Sequence, residues 1–150
     1  MTAVPSLNVP MTGGQTFDTA KLQGSAYVLY FYPKDSTPGC TTEGAEFRDH
    51  HQAFLDAGFQ IFGASRDSLK SHENFKAKMA FTFDLVSDPD ETLCNAFGVM
   101  KMKNMYGKQV RGIERSTFVV DKQGKIVKEW RGVKVPGHVA EVLAHVQALK

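Results

Sequence analysis

The chain has 150 residues, of which 42% are hydrophobic and 23% charged, with a formal net charge of +2. That balance fits a folded globule and excludes disorder, collagen and coiled coil, and the length suits one domain spanning residues 1–150. Residues 101–150 carry eleven Lys/Arg against four Asp/Glu, whereas residues 1–100 carry seven against twelve; with no nucleic-acid-binding motif, the basic third reads as a solvated face.

Residues 6–20 are polar and hold Thr12-Gly13-Gly14, a turn signal, which predicts a short amino-terminal hairpin. The run AYVLYFY at 26–32 is apolar, β-branched and aromatic, as in a strand covered on both faces, and Pro33 ends it. Residues 38–55 read as a helix with Phe47, Phe54 and Leu55 on one face, and 59–64 as a second buried strand. A helix over 69–79 follows, capped by Asp67 or Ser68, then a strand over 83–86 and a short helix over 90–97. Residues 117–120 and 126–130 flank Asp121-Lys122-Gln123-Gly124 as a hairpin, with the first strand extending back to Arg115. Val139, Val142, Leu143, Val146 and Leu149 stripe a carboxy-terminal helix. This order predicts an α/β fold of three layers around a central mixed sheet, with an amino-terminal hairpin and a carboxy-terminal helix. A thioredoxin-like arrangement satisfies it, as do other three-layer folds.

No apolar run approaches the roughly 18 residues of a membrane span, and MTAVPSLNVP lacks the features of a secretory signal. Two cysteines cannot make a disulfide framework. The expectation is a cytoplasmic protein with reduced thiols. His51 shares the apolar face of Phe47 and Phe54, while His50, His72, His138 and His145 have no ligand-like companion at zinc-site spacing, so no metal and no cofactor are expected.

The chemistry concentrates between the first buried strand and its helix. Thr37 suits the cap and Pro38 the first helical position, which puts Cys40 in the first turn. Free backbone N–H groups and the helix dipole there favour a thiolate, and Gly39 allows close approach to the backbone. The plain alternative for Cys40 is a small buried hydrophobe.

The segment LYFYPKDSTPGCTTE at 29–43 resembles the peroxidatic loop of the peroxiredoxins, and most closely the bacterioferritin-comigratory or Q-type subgroup, through Pro33, Thr37 and Cys40. Ser65-Arg66-Asp67-Ser68, Ser71-His72, Phe75, Leu85-Val86-Ser87-Asp88, Tyr106-Gly107 and the stretch from Gly112 to Phe118 match as well. The resemblance implies a thioredoxin-like fold and a thiol-dependent peroxidase acting on hydrogen peroxide and organic hydroperoxides. It further implies that Cys40 attacks the peroxide and becomes sulfenic acid, with Arg115 beside it and Glu43 anchoring Arg115. Thr37 would bridge sulfur and peroxide, and Pro33 would shield the pocket.

The sequence departs from the subgroup at the two usual places for a resolving cysteine, which align with Ala45 and Lys76. Cys94 remains, and beside Leu93 and Phe97 it reads as a core thiol. A one-cysteine cycle is therefore expected, closed by an external thiol from thioredoxin, glutaredoxin or glutathione, in a monomer. An internal Cys40–Cys94 disulfide is one alternative, and a non-enzymatic thioredoxin-fold binding module another. A thiol–disulfide oxidoreductase would want a second cysteine where Glu43 stands, and a cysteine protease a histidine base on Cys40.

Overall fold

The computed structural model describes residues 2–149. In chain order the elements are β1 (Thr2–Ala3), β2 (Asn8–Met11), β3 (Gln15–Asp18), β4 (Ala26–Phe31), α1 (Pro38–Asp56), β5 (Phe59–Ser65), α2 (Leu69–Met79), β6 (Asp84–Ser87), α3 (Thr92–Phe97), β7 (Met100–Met105), β8 (Lys108–Ile113), β9 (Ser116–Val120), β10 (Lys125–Arg131) and α4 (His138–Ala148). Eight strands form one sheet in the order β1-β10-β9-β4-β5-β6-β2-β3, and β7 and β8 form a separate hairpin. The centre is mixed, because β4, β5 and β6 run parallel while β9 lies antiparallel to β4.

Strand β4 is buried along its whole length, so its alternating side chains feed two cores. Val28 and Tyr30, with Tyr32 just beyond the strand, meet α1, α2 and α4 through Phe47, Phe54, Phe75, Val139, Val142 and Val146. Tyr27, Leu29 and Phe31 point the other way, onto the hairpin residues Val9 and Phe17 and the α3 residues Leu93 and Phe97. These are the three expected layers.

Several boundaries differ from the sequence reading. The third strand begins at Asp84, leaving Phe83 ahead of it to stack on Phe81. Helix α3 starts at Thr92, because Glu91 takes a left-handed conformation (φ 63°) that cannot continue a helix. Arg115 falls one residue ahead of β9. Leu55 and Leu149, read as core, are 43% and 50% exposed. The β7–β8 hairpin has no counterpart in the sequence reading. Lys101, Met102, Lys108, Gln109, Val110 and Arg111 are exposed there, so no buried face imposes a pattern.

Candidate active site

Helix α1 begins where β4 leaves the sheet, and the intervening loop turns sharply at Ser36, whose φ is 64°. Thr37 stands at the cap position with extended backbone and Pro38 follows as the first helical residue. The side chain of Thr37 does not cap, contrary to the sequence reading: its Oγ1 donates to the Lys34 carbonyl at 2.8 Å and braces the loop instead. Cys40 occupies the first turn and is 2% exposed.

Arg115 reaches over this turn from the start of β9. Its Nη2 donates to Cys40 Sγ at 3.3 Å, and its Nη1 to Glu43 Oε1 at 2.6 Å. Cys40 and Glu43 are three residues apart on one helix, so one planar guanidinium spans both. Gly39 also makes room for Arg115: a Cβ there would lie 3.1 Å from Arg115 Nη2, so the glycine admits the guanidinium. Burial opposes the Arg115 charge, but Glu43 and Cys40 outweigh it and hold the proton more tightly than usual. Glu43 is fully buried and its Oε2 has no partner. Burial pushes its carboxyl up to about 7 against the pull of Arg115. Pro33 is half-buried at the mouth of the loop. An open groove lined by Pro38, Gly39, Thr42, Glu46, Val135 and Pro136 runs alongside.

Cys94 is not brought to this site. It is fully buried in the core on the opposite face of the sheet, its N–H donates to Asp88 Oδ2 at 2.7 Å, and burial, with Asp88, pushes its thiol far up. Lys76 pairs with Asp84 at 2.7 Å.

A second polar group, without a chemical role in the sequence reading, adjoins the loop. Asp35, Asp67 and His72 place ligand atoms within 4.8 Å of one another, the one such grouping among the described residues. Sequence spacing hid these companions of His72, because the fold gathers them from three segments. The quoted stretches Ser65-Arg66-Asp67-Ser68 and Ser71-His72 were the available signal. All three side chains are committed to protein hydrogen bonds.

A buried cysteine in a helix's first turn, covered by an arginine that a buried glutamate holds, is an arrangement suited to a nucleophile. The family profile described as AhpC/TSA matches residues 1–129. The chain belongs to the AhpC/TSA family. Among its relatives, the peroxiredoxin Bcp of Xanthomonas campestris is 56% identical over 95% of this chain and 89% of its own. That of Bacillus subtilis is 48% identical over 93% and 88%. A solved structure of Xanthomonas campestris peroxiredoxin Q, 56% identical, superposes with a TM-score of 0.91 over 95% of this chain and 90% of that one. Another, titled for alkyl peroxide reduction by the bacterioferritin comigratory protein of the same organism, is 55% identical with a TM-score of 0.91, covering 95% and 91%. This peroxiredoxin thus has the thioredoxin-like fold and is a thiol-dependent peroxidase, which sets aside the binding module without chemistry.

Proposed function

We propose that this peroxiredoxin reduces hydrogen peroxide and organic hydroperoxides at Cys40 in a one-cysteine cycle. The observation that carries this reading is the contact of Arg115 Nη2 with Cys40 Sγ at 3.3 Å in the first turn of α1. The thiolate sulfur attacks one peroxide oxygen, an S–O bond forms as the O–O bond breaks, and the departing oxygen leaves with a proton as water or alcohol. Arg115 favours the thiolate and the charge moving onto the leaving oxygen. The Thr37 hydroxyl donates to the Lys34 carbonyl, so its lone pairs remain for accepting from the peroxide O–H. The apolar groove beside Val135 and Pro136 offers room for the organic part of a hydroperoxide.

A thiol then displaces water from Cys40 sulfenic acid to give a mixed disulfide, and a second thiol frees Cys40. With Cys94 across the sheet and Lys76 and Ala45 at the usual resolving positions, the thiol comes from outside, from thioredoxin, glutaredoxin or glutathione. We place the protein in the cytoplasm as a monomer; among the described residues no helix is long and apolar enough to cross a membrane.

Peroxide consumption should vanish in Cys40→Ser and persist in Cys94→Ser supplied with dithiothreitol. A Cys40–Cys94 peptide after one equivalent of peroxide, with turnover lost in Cys94→Ser, would replace the one-cysteine cycle by an internal disulfide.

A further inference from the structure

His72 is fully buried in the first turn of α2, and both of its ring nitrogens face oxygen atoms. Nδ1 lies 2.7 Å from Asp35 Oδ2 and Nε2 lies 2.9 Å from the Val86 carbonyl. Asp35 also accepts from Tyr32 Oη at 2.6 Å and Ser71 Oγ at 2.8 Å, and its own N–H donates to Asp67 Oδ2 at 3.0 Å. Asp67 is fixed in turn, its carboxylate by Ser65 Oγ and its carbonyl by Ser87 Oγ at 2.6 Å. The hydroxyls of Tyr32 and Ser71 both donate to the Asp35 carboxyl, and the His72 ring links that carboxyl through Nδ1 to the Val86 carbonyl through Nε2. A buried, hydrogen-bonded His–Asp pair results, strong only while its geometry holds and costly once one partner is removed.

The position of this pair gives it a use. Asp35 lies in the loop between β4 and α1, immediately before left-handed Ser36 and two residues before Thr37. Apart from Tyr32, the hydrogen-bond partners of Asp35 all come from the β5–α2 segment, so the pair ties the loop to the neighbouring strand end and helix. We infer that Asp35 and His72 are positioning residues for the peroxide reaction, a hydrogen-bonded clamp that holds the turn bearing Thr37 and Cys40 closed against Arg115. The inference rests on Cys40 being the reacting sulfur. A closed turn suits a small peroxide, whereas a reagent larger than the opening around a 2% exposed sulfur must wait for the turn to unwind. Loosening the clamp therefore moves two rates in opposite directions.

The test uses Cys94→Ser protein, so that Cys40 alone responds. In His72→Asn, reaction of reduced Cys40 with hydrogen peroxide should slow about 10-fold, while its reaction with the bulky aromatic disulfide of Ellman's reagent should speed up several-fold. Phe75→Leu weakens the apolar side of the same helix and removes none of the clamp's hydrogen bonds, so it should change both rates by less than about twofold. Ser71→Ala, the milder change, should shift both rates in the His72→Asn directions by less. Unchanged rates in His72→Asn and Ser71→Ala, or equal shifts in Phe75→Leu, would each overturn the clamp. A wild type without Cys40-dependent peroxide consumption would instead fail the peroxidase assignment, and the Ellman rates would still judge the clamp.

Discussion

Arg115 has one guanidinium and two clients, the Cys40 sulfur and the Glu43 carboxyl. A lysine keeps the charge but is a single point that cannot hold both at fork geometry. Arg115→Lys should therefore slow peroxide reduction about 10²-fold, the usual loss for one well-placed donor to developing charge, measured as the second-order rate constant of the folded protein. A rate within threefold of wild type would remove Arg115 from the reaction. Thr37 separates into bracing and substrate contact. Its hydroxyl donates to Lys34 rather than capping α1, so Thr37→Val loses a loop hydrogen bond worth about 1 kcal/mol. Where the hydroxyl also accepts from peroxide, the Val variant should lose rate per folded molecule well beyond that, and Thr37→Ser should retain most of it. Equal rates for Val and Ser, both near wild type, would leave Thr37 as a brace alone.

Helix α1 carries the site and is seated by one small residue on its buried side. A Cβ on Gly44 would lie 2.4 Å from the Phe81 ring, which packs against Phe75 and Phe83 and has little room to retreat. Helix propensity favours alanine by about 1 kcal/mol, and overpacking costs about 1–3 kcal/mol, so packing should win. Gly44→Ala is expected to lower the urea midpoint without changing its slope, and a raised midpoint would contradict this packing. The sequence could not disclose Gly44, since a glycine inside a helix looks the same whether it is tolerated or required. It did disclose β4, α1, β5 and α2, where continuous or periodic burial writes a pattern into the residues. The β7–β8 hairpin escaped because its exposed faces demand no pattern. The site divides in the same way. Pro38 and Cys40 were legible because a helix start is local, and Arg115 with Glu43 through the family resemblance. The Asp35–Asp67–His72 group was not, because its members come from two separate loops and a helix, and local periodicity records no such convergence.

At the scale of the whole molecule, two buried groups tie stability to pH with opposite signs. The folded state raises the Glu43 carboxyl from 4.5 to about 7, chiefly by burial, so it keeps a proton that the unfolded chain releases. Its contribution to stability falls as pH rises through that window, by up to about 1.4 kcal/mol per pH unit. Burial lowers His138 from 6.5 to about 4 while its Nε2 pairs with Thr117 Oγ1 at 2.8 Å, so the unfolded chain takes up a proton that the folded one refuses. Its contribution is lost as pH falls from 6.5 towards 4, and His51, also lowered by burial, adds to that side. Between pH 4.5 and 6.5 the two slopes oppose one another, and a single measurement on the wild type hides both. Single substitutions should separate them. Relative to wild type, Glu43→Gln should gain stability steadily as pH rises from about 5 to 7, because it carries no carboxyl to deprotonate. His138→Gln should gain relative stability as pH falls from about 6 to 4.5, because it has no ring for the unfolded state to charge. Both differences are read from urea midpoints at matched ionic strength. Two flat difference profiles would show that neither buried group is linked to folding, whatever the absolute cost of the substitutions.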